Sequence, residues 1–230
     1  MRRLLSDMKV CCIAVSLTAG VILAAAAFGI VKRQSYTNLA EQGNYMEQLQ
    51  VAEIPEKLAI RSCSELAEKL PDAPIILRVR AEEEIEHLFQ TGRQKVHIQE
   101  VYAGESLKTG EEIYLFSEHW RLSLTGEPDS IERGFVNVME VGTEYLVFAA
   151  GQVQGLDTAV PVFELYDDFL IAPVFCYEDR DNVIVPVGEE STYVPYRDVK
   201  NNEFFAETEK ALLAWEELKE KMISAYGKVS

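Results

Sequence analysis

The chain has 230 residues, with 22 Lys/Arg against 38 Asp/Glu and a formal net charge of −16. So acidic a surface repels phosphate backbones and anionic lipid leaflets, and no basic, aromatic-interleaved patch offsets it, which excludes nucleic acid as a partner. It would favour cations or basic partners, but no Asp-x-Asp-x-Asp-Gly calcium loop is present, and the charge is read as a means of solubility.

The first 33 residues differ from the rest. Val10 to Val31 is a run of 22 residues without a charge, preceded by Arg2, Arg3 and Lys9 and followed by Lys32 and Arg33. A helix rises about 1.5 Å per residue, so this run spans the roughly 30 Å of a bilayer core. Residues 1–9 then read as a cytoplasmic tail, 10–31 as a transmembrane helix and 34–60 as a juxtamembrane segment. The greater positive charge lies on the N-terminal side, which directs 34–230 out of the cytoplasm. The protein is expected to be a single-pass protein of the cell membrane. A cleaved signal peptide is the alternative, since Ala24–Ala27 offers small-residue cleavage sites, and it would export the same domain. Cys11 and Cys12 could accept an acyl group, but no small-residue lipobox surrounds them, and they are read as thiols in an apolar helix. Residues 34–230 hold 17 Lys/Arg and 37 Asp/Glu, a net charge of −20.

Residues 61–230 read as one globular domain. A helix is expected from Ser62 or Ser64, with Ser64 as its cap, through Leu70, stopped by Pro71-Asp72-Ala73-Pro74. Ile75, Leu77 and Val79 alternate with Ile76, Arg78 and Arg80, the period of a strand. Ala81 to Phe89 reads as a loop or short helical excursion. From Lys95 the β signal is continuous. Val101 has the opposite parity to Val96 and Ile98, which places a bulge near Gln99-Glu100. Gly104 to Gly110 is a turn, and Glu111 to Ser117 returns. Phe135–Val141 and Glu144–Ala149 form a further pair across Gly142-Thr143. Tyr145-Leu146-Val147-Phe148, apolar on both faces, reads as a strand covered on both sides. Val160–Tyr166, Leu170–Tyr177, Val183–Val187 and Tyr193–Tyr196 are further strands. Many short strands separated by turns predict a mainly β domain with helices, either a sandwich or a small barrel. An amphipathic helix is expected over 202–226, with Phe204, Ala211, Trp215, Leu218, Met222 and Ala225 on one stripe packed against the domain itself. A partner-binding helix is the rival reading of that stripe.

Three segments then look familiar together: Val96-His97-Ile98-Gln99-Glu100-Val101-Tyr102-Ala103-Gly104, Gly110-Glu111-Glu112-Ile113-Tyr114-Leu115, and Val141-Gly142-Thr143-Glu144-Tyr145-Leu146-Val147-Phe148. With the helix and strand upstream, residues 62–150 resemble a bacterial domain related to tissue inhibitors of metalloproteinases. The resemblance implies a small OB-like barrel of the kind shared with netrin-like modules. Its motifs are structural, and they point to Gly104, Gly110, Gly142 and Tyr145 as framework residues. Protease inhibition does not follow. Inhibitors of that group press a mature N-terminal cysteine onto zinc, whereas Cys63 lies well inside this chain.

No catalytic constellation is evident. His87, His97 and His119 are the only histidines, too far apart for a local zinc motif. His97 and His119 could meet only across paired strands, without a convincing third ligand. Glu82-Glu83-Glu84, Asp167-Asp168 and Glu189-Glu190 are sequence neighbours, and on a strand such neighbours point to opposite faces. No nucleophile elbow, phosphate loop or dinucleotide fingerprint occurs. The expected function is a non-catalytic binding module, without cofactor or metal, whose barrel face or loops contact an envelope protein or a glycan. An envelope hydrolase using scattered carboxylates is the alternative, and after it a protease-inhibitor-like protein. Cys63 and Cys176 form a possible disulfide if the compartment is oxidising, or remain two separate buried thiols.

Overall fold

The computed structural model describes residues 45–88, 90–124, 129–131, 135–156, 158–166, 170–185 and 193–227, with a few positions between 18 and 29. The chain divides into two units, 1–42 and 43–230. In the first, the described residues Thr18, Gly20–Ile22, Ala25, Ala26, Phe28 and Gly29 are helical, and Val21, Ile22 and Phe28 are exposed. Among the described residues no helix is long and apolar enough to cross a membrane; most of the 10–31 segment lies outside them.

The second unit opens with β1 (Gln50–Ala52) and α1 (Glu56–Lys69). α1 begins a turn and a half before the expected Ser62. Pro55 supplies its fixed φ of −59° at the N-cap, and Glu56 follows as an acid in the first turn, where the helix dipole favours it. Ser64 is not a cap: its hydroxyl donates to the Ile60 carbonyl within the helix, at 3.0 Å. The stop is as the sequence indicates, a tight turn over Leu70–Asp72 followed by extended Ala73.

β2 (Ile75–Ala81), β3 (Glu86–Leu88), β4 (Thr91–Ala103), β5 (Glu112–Ser117), β8 (Glu144–Gln152) and β9 (Val162–Leu165) carry the architecture. β6 (Leu122–Ser123) and β7 (Ser130–Ile131) lie between β5 and β8. Following hydrogen-bonded neighbours, β2 pairs with β4, β4 with β5, β5 with β9, β9 with β8 and β8 with β2, which closes a five-stranded barrel. Every pairing is antiparallel except β5–β9, where Tyr114, Leu115 and Phe116 lie beside Val162, Phe163 and Glu164. The free edge of β8 is shared: Ala149–Gln152 meets β9, and Tyr145–Val147 meets β10 (Val174–Cys176). Leu77, Val79, Val96, Ile98, Ile113, Leu115 and Val147 are fully buried.

The expected bulge is present. Ile98 pairs with Val79 and Glu100 with Arg78, which leaves Gln99 without an opposite, and a second irregularity leaves out Tyr102. Part of the predicted loop 81–89 is strand, because β3 adds to β4 through Glu86↔Arg93, His87↔Gly92 and Leu88↔Thr91. Phe135–Val141 is not a strand and does not pair with β8. Its backbone is satisfied otherwise: Val136 bridges Phe204, Asn137 N–H donates to the Glu203 carbonyl, and Met139 N–H donates to Gln94 Oε1. Of Leu170–Tyr177 only β10 is strand. Residues 183–185 form none; Val185 N–H donates to the Ala206 carbonyl. Residues 186 and 187 lie outside the described set.

A smaller sheet has the order β11-β1-β7-β6, with β11 at Tyr193–Pro195, followed by the short helix α2 (Tyr196–Val199). The last helix, α3 (Glu209–Ala225), starts seven residues later than expected, capped by the Thr208 hydroxyl. Ala211, Trp215, Leu218 and Met222 form its buried stripe. Phe204 precedes the helix and stacks on Trp215 at 4.8 Å and 7°, and Phe175 of β10 stacks on the same indole at 4.9 Å and 16°. The stripe is therefore covered by the domain's own chain. α1 and α3 run side by side and parallel. Glu207 Oε2 accepts from Glu56 N–H at the first turn of α1, Thr208 Oγ1 donates to Glu56 Oε2 at the start of α3, and Lys221 Nζ reaches the Ala67 carbonyl near the other ends.

Candidate functional site

Alternation along β4 buries Gln94, Val96 and Ile98 and turns Arg93, Lys95, His97 and Gln99 to a partly exposed face. On β5 the same alternation buries Ile113 and Leu115 and leaves Tyr114 and Phe116 half-buried. The register then assembles a platform. One rung runs Glu86, Arg93, Phe116, Glu164 across β3, β4, β5 and β9; the next holds Lys95, Tyr114 and Val162; a third holds His97 and Glu112.

These side chains hold one another in place. Arg93 donates to Glu86 Oε2 through Nη2 at 2.8 Å and Nε at 2.9 Å, while its guanidinium carbon lies 4.3 Å from the Tyr114 ring centroid, a cation–π distance. Lys95 Nζ lies 3.1 Å from Glu112 and 3.3 Å from Glu83, and its hydrogen bonds to Glu112 and then Glu83 raise its pKa. Gln99 Nε2 lies 2.9 Å from His97 Nδ1. The face offers two aromatic surfaces within a lattice of paired charges, an arrangement suited to adhesion by stacking and directional hydrogen bonds.

The framework residues are found elsewhere. Gly104, Gly110 and Gly142 all have positive φ, at 122°, 91° and 85°, so the turns use the freedom that glycine alone has cheaply. Gly142 does not reverse a hairpin; its N–H donates to the Ala81 carbonyl at 2.8 Å. Tyr145 is buried, and its hydroxyl accepts the Glu140 N–H at 2.8 Å. Cys63 and Cys176 are free, buried thiols rather than a bridge. Cys63 lies on the buried side of α1, where burial raises its pKa to about 12. Cys176 lies on β10, where burial raises its pKa against the opposing hydrogen bond from Arg180. The register brings Cys176 opposite Tyr145.

That region holds a polar cluster the sequence did not announce. Glu203 and Lys219, with side chains 5% and 15% exposed, form an ion pair at 2.6 Å. Glu203 Oε1 also accepts the Cys176 N–H at 2.7 Å, and Lys219 donates to the Glu178 carbonyl at 2.9 Å. Burial raises the Glu203 pKa, and Lys219 opposes the rise. Arg180 lies 2.6 Å from Glu140 and 3.4 Å from the Tyr145 hydroxyl. The only sequence signal is a glutamate directly before Phe204-Phe205.

His97 and His119 do not meet. His97 pairs with Glu112 at one end of the β4–β5 ladder, and Ser117, two residues before His119, pairs with Gly92 at the other. Five residues of strand separate the ends, about 17 Å. Among the described residues, no three His, Cys, Asp or Glu side chains are grouped so as to hold a metal ion. Glu82 pairs with Arg80 and Glu83 with Lys95; Asp167, Asp168, Glu189 and Glu190 lie outside the described residues. No protein-family model and no curated protein matches the chain.

Proposed function

We propose that this chain is a non-catalytic binding module, tethered to the cell membrane by residues 10–31 with residues 34–230 outside the cytoplasm. Its barrel is OB-like. The closed ring of five strands with a single parallel pair, β5–β9, supports that reading, as does the likeness of residues 62–150 to the domain related to tissue inhibitors of metalloproteinases. The tether is supported by the uncharged run itself and by the exposed apolar side chains of Val21, Ile22 and Phe28 on helical backbone. The partner is an envelope protein or a glycan, bound on the outer face of β4 and β5.

The observation that carries the reading is the platform of Arg93, Lys95, Tyr114 and Phe116. It is fixed by its own ion pairs and by the Arg93–Tyr114 stack, so little side-chain entropy is lost on binding. The test is capture from envelope extracts by the full chain in detergent, compared with Tyr114→Ala/Phe116→Ala. Capture should fall at least about tenfold in the variant, the loss of about 1.4 kcal/mol or more that central aromatic contacts supply. Prior protease treatment of the extract abolishes capture of a protein partner and spares a glycan. Undiminished capture by a variant that melts like the wild type removes this face from the reading.

A further inference from the structure

Tyr45 lies in the 3₁₀ turn Tyr45–Gln48 that leads into β1, 14 residues after the uncharged N-terminal run. Its hydroxyl bonds His87 Nδ1, on β3, and the rings meet edge to face at 5.7 Å. His87 Nε2 lies 2.8 Å from the Trp120 carbonyl. A carbonyl only accepts, so Nε2 carries the proton. In the neutral ring Nδ1 is then an acceptor, and the Tyr45 hydroxyl donates to it. His87 is 7% exposed, and Gly92 opposite it has no room for a side chain: a Cβ there would lie 2.7 Å from Trp120 Cβ and 3.0 Å from His87 Nε2. The imidazole is walled in.

We propose that the Tyr45–His87 contact is an acid-released latch, joining the segment that leads from the N-terminal run to the β3–β4 hairpin. Protonation puts a hydrogen on Nδ1, so the nitrogen ceases to accept from Tyr45; the contact can persist only if the hydroxyl turns to accept, and the charge sits on a ring that is 7% exposed, where burial disfavours it. Burial lowers the His87 pKa, against the Trp120 hydrogen bond, which keeps the latch closed at neutral pH. The charged and titratable groups facing the pair are Glu84, Glu86 and Tyr196, all of which act on Tyr45, with Glu47 beside Tyr196. Glu86 is held by Arg93 and Glu47 by Lys200. The hairpin's other face carries the Arg93–Glu86 rung of the platform. Release therefore loosens the chain entering β1 at the hairpin that bears the binding face.

Hydrogen exchange of residues 45–52 in the full chain in detergent micelles, from about pH 7.5 down to about pH 4.5 and corrected for intrinsic rates, spans the range over which histidine titrates. In the wild type, protection should fall about tenfold or more as the pH drops, while β2 and β8 stay protected. In His87→Gln, whose amide can accept from Tyr45 and donate to Trp120 without titrating, protection should not fall as the pH drops. Tyr45→Phe should show weak protection at every pH. Flat protection in the wild type, or an unchanged pH response in His87→Gln, overturns the latch. If His87→Gln does not fold, Tyr45→Phe decides: a wild-type response in that variant overturns the proposal, and its loss supports it.

Discussion

Two glycines separate backbone freedom from space. Gly142 has φ of 85° and, among the described residues, nothing within 4 Å of where a Cβ would stand, whereas Gly92 has no positive φ and a wall of Trp120 atoms at 2.7 and 2.8 Å. Gly142→Val should cost roughly 1–3 kcal/mol from backbone conformation alone. Gly92→Ala must displace the Trp120 side chain and its main-chain carbonyl, and should cost at least as much, about 2–4 kcal/mol, with disturbance of the His87 contacts. Thermal melting of the two full-chain variants checks the order; a neutral Gly92→Ala would show that Trp120 gives way. Glu53 presents another local tension. It is 7% exposed, its Oε2 has no hydrogen-bond partner among the described residues, and burial, then the charge of Glu207, raises its pKa. A raised carboxyl pKa means that the folded chain holds a proton the unfolded chain has released, so this group's contribution to stability falls as pH rises through the folded pKa. Glu53→Gln should therefore stabilise by roughly 1 kcal/mol near pH 8, and the advantage should shrink towards pH 4.5. His87, whose pKa is lowered, has the opposite sign below about pH 6.5, so the difference between variant and wild type is the quantity to read. An advantage independent of pH would rule out titration of Glu53 as its source.

At the scale of elements, the strands that alternate are legible in the sequence and the polar-supported segments are not. β2 and β4 display the period of two, and even the bulge at Gln99 is visible as a parity change, because each face meets a different environment along the whole strand. Phe135–Val141 carries comparable apolar residues but is no strand, since Gln94 and the chain around Glu203 supply its hydrogen bonds from far away in sequence. The first turn of α1 is hidden because 56–60 falls in the polar stretch 34–60 that reads as a juxtamembrane segment, although most residues of 56–61 are good helix formers. Phe204 fits the stripe of α3 by spacing yet sits outside the helix, stacked on Trp215; spacing cannot distinguish a helical neighbour from a preceding residue that folds onto the same ring. The outward-facing platform follows from strand alternation once the register is known, whereas the pairing of Glu203 with Lys219 requires the tertiary structure. That pair ties α3 to β10. Lys219→Met would leave a buried carboxylate that still binds the Cys176 amide, and should destabilise by about 3–5 kcal/mol. Lys219→Met/Glu203→Gln should recover a substantial part, because the charge is gone while the amide oxygen still accepts. Equal melting of the single and double variants would place the loss in packing of the lysine stem instead of in charge.

For the whole molecule, the proposed topology makes a prediction independent of the fold. Residues 34–230 carry a net charge of −20, whereas the short flank before the uncharged run carries Arg2, Arg3 and Lys9 against Asp7. Short flanks orient by their basic residues, and acidic residues contribute little, so the orientation rests on those three positions and the terminal amine. On the proposed topology, a domain of this charge would be repelled by anionic headgroups within about a Debye length. With an epitope at Ser230, protease added to intact protoplasts should remove the signal, and a cytoplasmic marker should survive. Replacing Arg2, Arg3 and Lys9 together by neutral residues, with basic residues added after Arg33, should move part of the population to the protected orientation. If the epitope resists protease until the cells are lysed, residues 34–230 lie in the cytoplasm, and the search for the platform's partner belongs there instead.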